Sequence, residues 1–151
     1  FPTRRSSDLH QANEGCACTM NSILKQFIKH LTVGDNEVAL LDMEAGVEHF
    51  GRGVDNSVDL ILMIVDPSFE SLKLTKKIQQ LGESIGKTVF FVLNKVNGQI
   101  LPTMLESIDD QSKVLAVISE DTEIARKGLL GNELMMEIPE IHTLAREILK
   151  Q

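Results

Sequence analysis

The chain has 151 residues, of which 42% are apolar and 25% charged, and a formal net charge of −7. That length accommodates one domain with a sizeable core, and the composition is that of an ordinary globular protein. With no Trp or Tyr, aromatic stacking platforms are nearly absent, and the acidic balance argues against a phosphate-backbone partner, so no nucleic-acid partner is expected. The longest unbroken apolar run, Leu60–Val65, is far too short to span a membrane, and no segment reads as a secretory signal. Two cysteines build no disulfide framework and read as reduced thiols. A cytoplasmic protein without a membrane partner is the expectation.

Residues 1–9, FPTRRSSDL, are polar and unpatterned. They match, residue for residue, the translation of a common short-read sequencing adapter, TTC CCT ACA CGA CGC TCT TCC GAT CT, whose incomplete last codon still encodes Leu. The alternative is a natural disordered arm. We expect an artefact here, with native sequence starting at about His10, and leave these residues out of the fold reading. Omitting Arg4, Arg5 and Asp8, together a net +1, leaves −8 for the remainder.

A polar lead-in from His10 to Gly15 brings the chain to Cys16-Ala17-Cys18. Met20, Ile23, Leu24, Phe27, Ile28 and Leu31 then recur at helical spacing, so residues 19–31 read as an amphipathic helix, with Thr19 as N-cap and Gly34 as stop. Val38, Ala39, Leu40 and Leu41 form a continuous apolar run that suits a strand buried on both faces, ending at Asp42 with Gly46 four residues on. A glycine-punctuated loop leads to Gly53. Leu60–Val65 is a second apolar strand, ending in Asp66-Pro67-Ser68. Residues 69–85 carry Leu72, Thr75, Ile78, Leu81 and Ile85 on one helical face, and Gly86 ends that helix. Thr88–Leu93 is a third strand, ending in Asn94-Lys95. Residues 99–108 make a short helix or irregular crossover. Val114–Ile118 is a fourth strand, ending in Ser119-Glu120-Asp121. Ile138, Ile141, Leu144, Ala145, Ile148 and Leu149 give an amphipathic helix to the C-terminus. Residues 10–151 show no repeat or linker, so a single domain is expected.

Apolar strands alternating with helices imply an α/β fold with a mostly parallel sheet and right-handed crossovers. All four strands end in polar residues, along the sheet edge where such folds bind ligands. For Asp42 two readings stand: a carboxylate that orders Mg²⁺ in a nucleotide hydrolase, or a cap on the next turn.

With those motifs in hand, the chain resembles the SIMIBI-class, deviant Walker ATPases, related to the nitrogenase iron protein and the cell-division positioning ATPases. Within that class it is most similar to the ATPases of carbon monoxide dehydrogenase maturation. The resemblance rests on DMEAGVEHFGRG at 42–53 and CAC at 16–18, and less specifically on VDPS at 65–68, LNKV at 93–96 and ISEDTEIARKGLLG at 118–131. It implies a three-layer, P-loop NTPase-like fold and an ATP- and Mg²⁺-dependent enzyme that assists nickel insertion. Asp42 would order Mg²⁺ through water, and Gly46 would sense the γ-phosphate. Glu44, Glu48, His49 and Arg52 would belong to the mobile switch loop. Asn94 would meet the adenine ring, and Ser119, Glu120 and Asp121 would line base and ribose. The class usually has Pro where Ser119 stands.

GTPases of this general type place an Asp three residues after the Asn, where this chain has Asn97; an amide accepts only one of the two guanine donors, so ATP is favoured. Cys16 and Cys18 supply two thiolates, and a two-fold dimer would complete a four-sulfur site for Ni²⁺ or Zn²⁺. The simpler alternative is a pair of reduced thiols at a helix start. The implied partners are a second copy of the chain and carbon monoxide dehydrogenase. A non-catalytic partner-binding relative, or a partitioning-type ATPase, is the alternative function.

The class also needs a glycine-rich phosphate loop with Lys and Ser/Thr on its first strand, and a catalytic Asp in switch I. Neither motif occurs in 1–151. Both are expected upstream of the CAC segment, so the 151 residues alone are expected not to hydrolyse ATP.

Overall fold

The computed structural model describes residues 26–35, 37–43 and 58–150. Contacts divide the chain into two compact units, Phe1–Asp59 and Leu60–Gln151. In the first, residues 26–30 are helical, the described part of the helix expected over 19–31, and Ile28 is buried. The turn closes where Leu31 N–H donates to the Ile28 carbonyl at 3.1 Å.

The strand expected at Val38–Leu41 does not form: residues 37–43 have no regular structure, and Val38 and Leu40 are 65% and 84% exposed. An apolar run becomes a strand only when a neighbour satisfies its N–H and C=O groups. No described residue pairs with this one.

The second unit holds three parallel strands in the order β1-β2-β3: β1 (Ile61–Val65), β2 (Val89–Val96) and β3 (Val114–Ser119). Helix α1 (Phe69–Ser84) links β1 to β2. Helix α2 (Leu101–Glu106) and a 3₁₀ turn (Gln111–Lys113) link β2 to β3. Helices α3 (Thr122–Leu130) and α4 (Pro139–Ile148) follow. The α/β class and the parallel sheet expected from the alternation are both present. Helix α3 was not foreseen, although its start and stop signals, Asp121 and Gly131, are in the sequence.

β2 is the central strand, and Val89 to Leu93 are all buried, as a strand covered on both faces requires. β1 pairs only with β2 among the described residues, and its Ile64 is half exposed. The strand expected at Leu60–Val65 thus lies at an edge of the described sheet, covered less than its apolar sequence implies.

Side chains alternate along β2, which puts Val89 and Val92 on opposite faces. On one face α1 comes so close that a Cβ built at Gly82 would lie 2.4 Å from Val89 Cγ2. On the other, Val92 and Ala116 cluster with Leu144 of α4, backed by Leu62, Leu115, Ile118 and Ile148. The result is helix, sheet, helix.

Helix α1 is bounded by local chemistry. Ser68 caps its start, its Oγ accepting from Ser71 N–H at 3.2 Å, and Pro67 precedes the cap. Gly86, at φ +68°, closes it: Gly86 N–H donates to the Glu83 carbonyl and Lys87 N–H to that of Gly82, a Schellman stop. Thr75, at the centre of its inner face, is fully buried. Its hydroxyl hydrogen lies between the carbonyls of Leu72 (2.7 Å) and Ser107 (2.8 Å), tying α1 to the end of α2.

Candidate functional site

Because the sheet is parallel, its three carboxyl ends share one edge. The residues that leave those ends are Asp66 after β1, Asn94 and Lys95 at the end of β2, and Ser119, Glu120 and Asp121 at the end of β3. The sequence placed binding residues at the last two of these ends, and at the first only a polar strand end.

The first group is built around Asp66. Register pairs Val65 with Leu93, so the next residues, Asp66 and Asn94, emerge side by side. Asn94 Nδ2 donates to Asp66 Oδ1 at 3.0 Å, and Lys95 Nζ meets Asp66 Oδ2 at 2.6 Å. Asp66 and Asn94 are half-buried and Lys95 is exposed. Two features hold Asp66 to the start of α1: its N–H donates to Ser71 Oγ at 3.1 Å, and its carbonyl accepts from Ser68 N–H at 2.7 Å.

The ladder between β2 and β3 breaks here. Leu93 pairs with Val117 and Val96 with Ser119, so β2 takes three steps against two in β3. Such a bulge re-aims side chains at functional edges. Within it Lys95 sits at φ +55°, left-handed backbone that a residue with a Cβ adopts only when its surroundings impose it.

The second group joins the ends of β2 and β3. Glu120 N–H donates to the Val96 carbonyl at 2.9 Å. Asn97 Oδ1 accepts from the N–H groups of Gln99 (3.1 Å) and Ile100 (3.2 Å), shaping the turn into α2. Its Nδ2 faces Glu120 Oε2 at a long 3.5 Å. Asp121 Oδ1 caps α3, accepting from Glu123 N–H (2.7 Å) and Ile124 N–H (3.0 Å). Ser119 closes β3 and is exposed.

Asn94, Ser119, Glu120 and Asp121 therefore share one edge of the second unit. Asp42 lies in the first unit, exposed, on the segment without regular structure. Gly46, the switch-loop residues Glu44, Glu48, His49 and Arg52, and Cys16 and Cys18 lie outside the described residues. Among the described residues no group of three or more His, Cys, Asp or Glu gathers to hold a metal ion, and no helix is long and apolar enough to cross a membrane.

The role of Asp66 was not legible beforehand. Sequence showed it as one of several polar strand ends; only the register puts it against Asn94. Chemically, the edge offers an amide whose carbonyl oxygen has no partner among the described residues, a cation on an exposed stem and two further carboxylates. That set suits the hydrogen-bonding rim of a heterocyclic base better than it suits bond-making chemistry.

No protein-family model matches the chain. It is 44% identical over 142 residues to the uncharacterized ATP-binding protein MJ0084 of Methanocaldococcus jannaschii, covering 94% of this chain and 57% of that protein. A second ATP-binding protein of that organism, MJ0823, is 31% identical over 132 residues, covering 85% of this chain and 51% of the relative. The carbon monoxide dehydrogenase accessory protein CooC of Rhodospirillum rubrum is 32% identical over 124 residues, 82% of this chain and 47% of its own length. The chain spans about half the length of these curated relatives.

Proposed function

We propose that this chain is part of an ATP-dependent metallochaperone that assists nickel insertion into a carbon monoxide dehydrogenase. The observation that carries the reading is the similarity to the carbon monoxide dehydrogenase accessory protein of Rhodospirillum rubrum over 82% of the chain. The similarity to ATP-binding proteins supports ATP as the nucleotide. In this reading residues 10–151 are the C-terminal part of a single nucleotide-binding domain, and the protein works in the cytoplasm as a homodimer.

Asn94 meets the adenine edge, with Ser119, Glu120 and Asp121 beside the base and ribose. Asn97 supports adenine over guanine: both lone pairs of its carbonyl oxygen are occupied by the N–H groups of Gln99 and Ile100, leaving no acceptor for the guanine donors. Asp42 is the residue that would hold Mg²⁺. Its exposed single carboxylate fits an ion that keeps several waters and needs only one or two protein carboxylates. Mg²⁺ bound with ATP supplies charge neutralisation at the phosphates. Gly46 reads the terminal phosphate, and Cys16 and Cys18 hold the nickel cargo, or zinc in its place, between two copies. With no Lys-bearing phosphate loop among its residues, the 151-residue chain by itself does not turn over ATP; measurable hydrolysis by the purified chain overturns that statement.

The test is activation of nickel-free carbon monoxide dehydrogenase by the complete gene product, supplied with nickel and ATP. ATP-dependent activation that disappears in the Cys16→Ser, Cys18→Ser double variant is expected. Activation indifferent to both ATP and the cysteines overturns the proposal.

A further inference from the structure

We infer that Asp66 is the positioning residue that sets base selectivity, by locking the Asn94 side-chain amide in one of its two orientations; this rests on the nucleotide-binding reading above. An ionised carboxylate accepts hydrogen bonds and donates none. Asp66 Oδ1 therefore holds Asn94 through its amino group, at 3.0 Å. A flipped Asn94 would set its carbonyl oxygen against the carboxylate, so the flip is excluded by electrostatics, whatever the ligand.

The lock is itself fixed. Asp66 Oδ2 is engaged by Lys95 Nζ at 2.6 Å, and its backbone is pinned to the first turn of α1 through Ser68 and Ser71. The bulge between Leu93 and Val96, with Lys95 at φ +55°, brings the ammonium to the same carboxylate that holds Asn94. Strained backbone is retained where surrounding structure imposes it, and here it completes the clamp.

Locked in this way, Asn94 keeps its carbonyl oxygen and one amino hydrogen for a ligand. An acceptor beside a donor complements the 6-amino group and N7 of adenine. A 6-oxopurine presents two acceptors there, and its O6 would face the Asn94 carbonyl oxygen. A released amide could turn its amino group toward O6, and the discrimination would fall. Asp66 acts through Asn94 and touches no base.

The test titrates the ¹⁵N-labelled complete gene product with ATP and with ITP, which carries oxygen in place of the 6-amino group, and follows it by NMR. In the ligand-free chain one Asn94 Nδ2 hydrogen should be shifted and protected from exchange, and Asp66→Ala should abolish that signature. The preference for ATP over ITP should fall about five- to tenfold in Asp66→Ala, the scale of one hydrogen bond. Asp66→Asn, which keeps an acceptor for Asn94, should restore part of it. In an Asn94→Ala background, Asp66→Ala should change the ratio no further.

An unprotected Asn94 amide in the free wild-type chain overturns the lock, independently of any nucleotide. An ATP preference that survives Asp66→Ala overturns the inference and leaves the nucleotide reading standing. A protected amide with no response to either nucleotide overturns that reading and the selectivity role together.

Discussion

Val38–Leu41 and Val89–Leu93 are both unbroken apolar runs that end in a polar residue, and they meet opposite fates. Each of the five residues of the second is buried, whereas Leu40 in the first is 84% exposed. Composition does not separate them. What separates them is a neighbour on each side: β2 pairs with β1 from Val89 to Leu93 and with β3 from Phe91 to Val96, while no described residue pairs with 38–41. Hydrophobicity recruits a segment to a core, but the backbone ladder decides whether it becomes a strand.

Substitutions along the two runs break or sharpen that contrast. The largest effect should come from Phe91→Ala at the centre of β2, where the ring is wholly buried. A cost of about 3–5 kcal/mol is expected, read as a lower urea midpoint at unchanged slope. Gly82→Ala comes next. Its new methyl would meet Val89 Cγ2 at 2.4 Å and the Lys87 carbonyl oxygen at 3.0 Å. Overpacking of about 1–3 kcal/mol should outweigh the better helix propensity of Ala, and Val89→Ala should relieve part of it in the double variant.

Thr75→Val keeps the shape of a fully buried side chain and removes the hydroxyl shared by the Leu72 and Ser107 carbonyls. About 1–2 kcal/mol should be lost, with faster hydrogen exchange at the end of α2. Asp121→Ala removes the two hydrogen bonds that cap α3, for about 1 kcal/mol, visible as fraying of α3 in amide exchange. Leu40→Ala should change stability by less than about 0.5 kcal/mol, as for exposed positions generally. A thermal midpoint lowered as much by Leu40→Ala as by Phe91→Ala would remove the contrast between the two runs.

Much of the second unit was legible because its signals are local. The strands at 61–65, 89–96 and 114–119 begin within one residue of the expected apolar runs, and Gly86 stops α1 where its positive φ is needed. Of the candidate site, Asn94, Ser119, Glu120 and Asp121 were found as strand-end residues, since a parallel α/β sheet gathers those ends. The cap at Asp121, and helix α3 behind it, were also written in the chain, in the Asp-Thr-Glu start and the Gly131 stop. Asp66 as the partner of Asn94 was not, because that pairing needs a register between residues 28 apart.

The sequence by itself determined the alternation of apolar runs and amphipathic helices, and with it an α/β fold whose polar residues leave the strands on one edge. Those follow from side-chain period, caps and turns, each set by a few neighbouring residues. Tertiary structure alone decided three things: that 38–41 is no strand among the described residues, that Gly82 must be small because α1 touches Val89, and that Asp66 locks the amide of Asn94. Each depends on which distant backbone lies alongside, and hydrogen-bond pairing and close packing settle that only when the chain is folded.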